Sequence, residues 1–240
     1  MKSSIRKKSE YILYYKNIMR LVYFNGRGLA ETSRLLLALV GGEYEDFRYP
    51  LEIIDWKTHN MTKAEFDQDK LDNKLERSLN KVPFLEVDGA VIPQSKSIER
   101  YLARRYNLMG DNDLDFARID SICECIRDFK DLYQTVRKTP EEEREEALRI
   151  WFNETLVDKL DLLENIVGLD MERGEVLYSV GTRFSLADVV IFSFITQFFD
   201  DKISARNAMR NSPKLKAIVD TIDTNSNIVN WLETRPTTSF

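Results

Sequence analysis

The sequence predicts two successive architectures: an α/β sheet layered with helices over residues 17–107, and an all-helical part over 114–240. Three observations carry this. Short β-prone runs separated by turns fill the first half, beginning with Leu21, Val22, Tyr23 and Phe24. Asp88-Gly89 stands between two apolar runs, the strongest short hairpin signal available. Beyond Asp113, apolar residues recur at spacings of three and four, the period of a helix with one buried face.

The elements follow in order. The first strand ends near Phe24, a turn runs from Asn25 to Gly28, and a helix carries Ala30, Leu35, Leu36 and Leu37. A second strand covers Glu45 to Tyr49. Pro83 lacks an amide N–H and suits the start or edge of a strand, where it leaves neighbouring backbone free to pair with an extended ligand. The hairpin closes at Asp88-Gly89, and Gln94-Ser95 opens a helix carrying Ile98, Tyr101, Leu102 and Tyr106. That places a hydroxyl and free amides at the positive end of a helix, a setting for a carboxylate.

The polar run Asn107 to Asp113 reads as an interdomain linker. Residues 141–167 place Leu148, Trp151, Phe152, Leu156, Leu160, Leu163 and Val167 on one stripe of a long helix, opened by Pro140 and three glutamates. Ser185-Leu186-Ala187-Asp188 begins an apolar run to Phe199, expected to be buried on all sides, with Ser185 and Asp188 capping the helix start. Asp188 is therefore read as a folding device and not as a catalytic acid.

Composition narrows the function. The chain has 240 residues, 43% hydrophobic and 31% charged, with net charge −5. It offers no basic surplus for nucleic acid or anionic membrane and no apolar run of about 20 residues to span a bilayer. Cys123 and Cys125 lie two apart in a helical pattern, so they neither bridge nor share a metal. A reducing cytoplasm is the expected compartment. His59 is the single histidine and sits in a polar stretch, which excludes triads and two-histidine zinc sites. Residues 1–16 are basic but lack a signal-peptide core, and are expected to form a disordered extension; Met19 is a second candidate translation start, to be tested by intact mass.

Several motifs together resemble the glutathione transferases, most closely the sigma class that includes prostaglandin D synthases and lens S-crystallins. They are Tyr23-Phe24-Asn25-Gly26-Arg27-Gly28, Asp55-Trp56, Lys81-Val82-Pro83, Glu86-Val87-Asp88-Gly89 and Gln94-Ser95 in the first half. In the second half they are Ser185-Leu186-Ala187-Asp188 and Asn230 to Pro236. The resemblance implies a thioredoxin-like glutathione-binding domain, a helical C-terminal domain, and a homodimer that conjugates glutathione to small hydrophobic electrophiles, a detoxification activity. Glutathione is then a co-substrate, and no cofactor is expected.

A free thiol has a pKa of about 8.5, so conjugation near neutral pH needs a donor aimed at the sulfur. By resemblance Tyr23 is that donor and the catalytic residue. Val82 would pair its backbone with the cysteinyl unit, and Pro83 matches the family's cis-proline. Gln94 and Ser95 would hold the γ-glutamyl carboxylate, and Trp56 and Lys81 the glycine end. Asp128 would reach the γ-glutamyl amine of the partner subunit's ligand. Gly26, Leu29, Lys130 and Tyr133 are candidates for the electrophile pocket.

The chain departs from the sigma pattern in three places. Leu29 stands where that pattern has an arginine near the thiol, and Arg27 is the candidate to compensate. Lys130, Tyr133 and Thr135 make the expected pocket more polar than a prostaglandin site, so conjugation is favoured over isomerisation. Residues 57–80 run about a dozen positions longer than the pattern, and read as a solvated insertion with room for a weakly amphipathic helix through Phe66, Leu71, Leu75 and Leu79. Where related isomerases gather acidic residues around a cation, Glu124 and Asp128 remain but Arg127 interrupts them, so no functional metal is expected. The alternatives are a non-catalytic ligand-binding or structural homologue, for which Leu29 speaks, and a glutathione-dependent prostaglandin-type isomerase. Thiol–disulfide chemistry is disfavoured because residues 17–107 contain no cysteine.

Overall fold

Strand β1 (Met19–Phe24) organises the first half, in a computed structural model that describes residues 19–55, 60–169 and 178–238. Leu21, Val22 and Tyr23 are all buried, so both faces of β1 are covered, as its unbroken apolar run requires. After the turn, α1 (Glu31–Leu39) leads to β2 (Tyr44–Tyr49), which pairs in parallel with β1. A short ribbon of β3 (Glu52–Asp55) and β4 (Asn60–Thr62) precedes α2 (Ala64–Leu71). Strands β5 (Phe84–Val87) and β6 (Ala90–Pro93) form the hairpin, and α3 (Ser95–Arg105) follows directly. The hairpin turns through Asp88 at φ 50° and Gly89 at φ 77°. Two left-handed residues in succession are what a two-residue hairpin loop demands, and Asp-Gly supplies them at low cost.

The four-stranded sheet has the order β2-β1-β5-β6, with β5 antiparallel to both neighbours. Of the insertion read over 57–80, the described part, 60–80, departs from a purely solvated segment. Phe66 and Leu75 are buried in a cluster with Val22, Tyr49 and Phe84, whereas Leu71 and Leu79 face solvent. The helix ends at Leu71, so the four apolar residues do not share one stripe.

The chain divides into two compact units. One holds the chain to Leu102 together with the segment from Arg235 onward, and the other spans Ala103–Thr234. The stretch from Asn107 to Asp113, read as a linker, lies inside the second unit. Leu108 and Met109 are buried, and the Leu108 carbonyl accepts from Leu186 N at 2.8 Å.

The second unit is helical. Asn112 caps α4 (Asp113–Arg137), accepting from Leu114 N and Asp115 N at 3.0 Å. The long helix read over 141–167 is α5 (Glu141–Ile150) and α6 (Leu156–Glu164), joined through one wide π turn at Trp151–Thr155. Likewise α7 (Leu186–Ser193) continues through a π turn at Phe194–Phe198. Helices α8 (Lys202–Asn207), α9 (Pro213–Asp223) and α10 (Ser226–Thr234) complete the unit.

Both π turns deliver aromatic rings to one core. Tyr133 of α4 meets Trp151 at 5.1 Å and Phe199 at 4.9 Å between centroids, and Phe129 meets Phe194 at 6.2 Å. Asp188 is fully buried. Its carboxylate accepts from Ser179 N, Ser185 N and Ser185 Oγ, the last two at 2.7 Å, which ties the preceding loop to the first turn of α7.

Candidate functional site

The strand registers bring the sequence-predicted residues of the first unit into one row. Val22 of β1 lies opposite Phe84 of β5, and Phe84 opposite Pro93 of β6. Tyr23 follows Val22, Val82-Pro83 precede Phe84, and Gln94-Ser95 follow Pro93. Three strands therefore present these residues side by side at one end of the sheet. At about 4.8 Å per strand the row is about 10 Å wide, the length of a tripeptide in extended form.

At the near end stands Tyr23, buried apart from a small exposed part of the residue. Its hydroxyl oxygen accepts from Leu29 N at 3.2 Å. Gly28 permits this approach: a Cβ there would lie 2.5 Å from the Tyr23 oxygen, and its φ of 36° belongs to the left-handed region. Burial raises the Tyr23 hydroxyl above its ordinary value, against the opposing effects of the Leu29 amide and the Arg34 guanidinium. Tyr23 thus keeps its proton at neutral pH, and with Leu29 N–H on its oxygen the proton remains available to an acceptor.

Arg34, which the sequence reading passed over, holds the turn that carries Leu29. It is fully buried on α1, and its Nη1 donates to Gly26 O at 2.6 Å. Its Nε donates to Asp46 at 3.1 Å, and Glu31 lies one helical turn before it at 3.6 Å. Glu31 in turn pairs with Arg235, a residue of the C-terminal motif. The guanidinium sits 5.9 Å from the centre of the Tyr23 ring. The cation found beside the tyrosine is therefore Arg34, and the expected compensator, Arg27, has its Nε buried with no hydrogen-bond partner among the described residues. The signal in the sequence was a Glu31–Arg34 pair, three residues apart, directly before the apolar run Leu35 to Leu39.

In the middle of the row the Val82–Pro83 peptide is cis, Pro83 is buried and Val82 is half-buried. At the far end Gln94 adopts φ 75° and is exposed, and its carbonyl accepts from Ile98 N at 3.0 Å as α3 begins at Ser95. The first amides of α3 and the Ser95 hydroxyl form a donor set for a carboxylate. Lys81 is exposed directly before Val82. Of the pocket candidates, Gly26 is buried with its carbonyl bound by Arg34, and Leu29 is exposed. Trp56 lies outside the described residues.

The second unit holds the other candidates. Asp128 is exposed on α4, and Arg127 stands beside both Asp128 and Glu124, at 3.8 and 2.8 Å. Among the described residues no group of three or more histidine, cysteine or acidic side chains gathers as a metal site. Lys130 lies over the Phe198 ring at 5.1 Å. Tyr133, read as a pocket residue, is a core residue of its own unit: it is buried and packs against Trp151, Phe152, Phe198 and Phe199. Its spacing on α4 matches a pocket position and a core position alike, and the rings around it come from both π turns and from Phe199.

Two family models match the chain: the glutathione S-transferase N-terminal domain over residues 19–104 and the glutathione S-transferase C-terminal domain over 127–235. A hematopoietic prostaglandin D synthase from Gallus gallus is 33% identical over 221 residues, 92% of this chain and 98% of that protein. An S-crystallin from Nototodarus sloanii is 27% identical with the same coverage. Among solved structures, a pi-class glutathione S-transferase from Onchocerca volvulus superposes with a TM-score of 0.71 at 26% identity, covering 90% of this chain and 93% of that one.

Proposed function

This chain belongs to the glutathione S-transferase family, and we propose that it conjugates the glutathione thiolate to small hydrophobic electrophiles, with Tyr23 as the catalytic residue. The single observation that supports this most is the row: a buried phenol, a strand end beside Pro83, and a helix N-terminus, spaced for one extended tripeptide.

In this reading the γ-glutamyl carboxylate rests on Ser95 and the first amides of α3, with Gln94 beside it. The cysteinyl unit pairs with the Val82 backbone as an added strand, and the glycine end faces Lys81; Trp56, assigned to the same end by resemblance, lies outside the described residues. The sulfur then lies at Tyr23. Leu29 N–H donates to the phenol oxygen, which strengthens the phenol O–H as a donor to sulfur. Bound thiol loses its proton to solvent, the thiolate forms an S–C bond to the electrophile, and the leaving group departs with its electron pair. Tyr23 stabilises the anion without itself transferring a proton.

We place the protein in the cytoplasm as a homodimer, in which Asp128 reaches the γ-glutamyl amine of the neighbouring site. Sedimentation at assay concentration checks the dimer. A monomer would remove that role from Asp128.

The deciding experiment titrates the thiolate absorbance of glutathione bound to wild type and to Tyr23→Phe. The expected result is ionisation well below pH 8.5 in wild type, lost in Tyr23→Phe. Bound glutathione that titrates like the free thiol would support the second reading, a non-catalytic binding or structural protein. The observation favouring that reading is Leu29, an exposed leucine at the position where the sigma pattern places a cation, together with similarity to an S-crystallin. Product analysis with a cyclic peroxide tests the isomerase alternative.

A further inference from the structure

The extra length between β4 and β5 has no part in the reaction described above, yet it ends directly at Val82. We infer that residues 64–80 are a positioning device for glutathione: Phe66 and Leu75 anchor the segment, and its closing left-handed turn sets the backbone of Val82. The inference rests on the proposed reading of Val82 as the strand that pairs with the cysteinyl unit.

Five observations converge. Phe66 is wedged between Phe24, at 5.2 Å, and Tyr49, at 5.5 Å, and Phe24 is the ring neighbour of Tyr23 at 5.6 Å. The segment thus touches the catalytic end of the row as well as its middle. Leu75 is buried in the same cluster, against which Val82 itself packs. The Leu75 carbonyl accepts from Ser78 N at 3.0 Å, Ser78 Oγ at 2.8 Å and Asn80 N at 2.9 Å. One anchored carbonyl therefore gathers the whole turn.

That turn is strained. Leu79 and Asn80 adopt φ values of 61° and 55°, and neither is glycine. Left-handed leucine is disfavoured by its Cβ, and a polypeptide keeps such a residue only where its surroundings over-determine it. Leu79 is also exposed, so its side chain gains little packing in return. The turn passes through Lys81, whose amide donates to Ser78 O at 3.2 Å, and reaches Val82 one residue later. A polar latch fixes the other end: the Tyr49 hydroxyl donates to Asp69 at 2.8 Å, and Lys74 donates to the same carboxylate at 2.7 Å.

The test measures glutathione Kd by calorimetry, the two KM values and thermal midpoints for wild type, Leu75→Ala, Leu79→Gly and the exposed control Leu71→Ala. Leu75→Ala is expected to weaken glutathione binding about tenfold, because a displaced Val82 misplaces the ligand. Leu79→Gly relieves the left-handed residue and keeps a midpoint near that of wild type, yet is expected to weaken binding about threefold as the turn loses preorganisation. Both losses should appear in KM for glutathione and not in KM for the electrophile, and Leu71→Ala should change nothing. A merely structural segment would lower the midpoint of Leu75→Ala and leave Kd within about twofold. That result overturns the inference, and if Leu75→Ala does not fold, unchanged Kd in Leu79→Gly overturns it alone. Wild type that fails to bind glutathione would overturn the proposed function and this inference together.

Discussion

In the first unit buried charged groups and left-handed residues gather near one end of a sheet, whereas in the second unit the buried polar side chains among the described residues are hydroxyls, apart from Asp188 at a helix start. Arg34, Glu31 and Asp46 lie beneath the Tyr23 turn, and Leu79, Asn80 and Gln94 hold positive φ around the same row. The second unit instead stacks Tyr133, Trp151, Phe194 and Phe199, and among the described residues its buried charge is Asp188, beside Ser179 and Ser185. The difference teaches where function is written. A core of rings can be repacked at modest cost, but the Tyr23 phenol is held by a particular amide, glycine and guanidinium around it, and the proposed role depends on all three.

The largest expected effect breaks the first side of this contrast. Tyr23→Phe should lower kcat/KM at pH 7 by about 10²–10³, or about 3–4 kcal/mol, with little change in Tm. Its rate should climb with pH toward the free thiol pKa while the wild type stays level. Equal pH profiles would refute Tyr23 as the thiolate donor.

Next comes the second side. Asp188→Ala removes the acceptor for three donors at the start of α7 and should cost about 2–4 kcal/mol in chemical denaturation without altering the glutathione Kd of the folded protein. Asp188 also carries a pH signature, because burial pushes its carboxyl up to about 6 against the hydrogen bonds that lower it. A folded-state value above the unfolded one means that protonation favours the fold. That contribution is fully present below about pH 4 and lost as pH rises through about 6, so the margin of wild type over Asp188→Asn should narrow across that window.

A smaller effect sharpens the geometry of the row. Gly28→Ala drives a methyl against the Tyr23 oxygen and strains φ, so activity should fall about tenfold with a stability loss of about 1–2 kcal/mol. The smallest is Leu29→Arg, which restores a cation near the thiol and should lower the bound thiol pKa by about half a unit or less at this exposed position. Arg27→Ala is expected to slow conjugation by a comparable margin, and unchanged kinetics would leave Arg34 as the cation that matters.

Much of the fold was legible because local signals and global pattern agreed. Asp88-Gly89 closed the hairpin, Ser185 and Asp188 capped their helix, and the apolar stripes ran where spacing placed them. The misreadings share a cause. Leu71 and Leu79 look like Phe66 and Leu75 in a sequence, but a helix ending at Leu71 turns two inward and two outward. The ring contacts of Tyr133 were equally hidden, because two π turns bring its partners together. The stretch around Asn107 looks like a linker until Leu108 is buried and bonded.

By itself the sequence determined the family, the order of the elements and the residues proposed to hold glutathione, because turns, caps and periodicity act over a few positions. Only the tertiary structure decided which of those residues stand side by side, that Arg34 supports Tyr23, and that the added segment buries Phe66 and Leu75 beneath Val82. These depend on strand register and on contacts between residues far apart in the chain, such as Glu31 and Arg235, which local spacing does not encode.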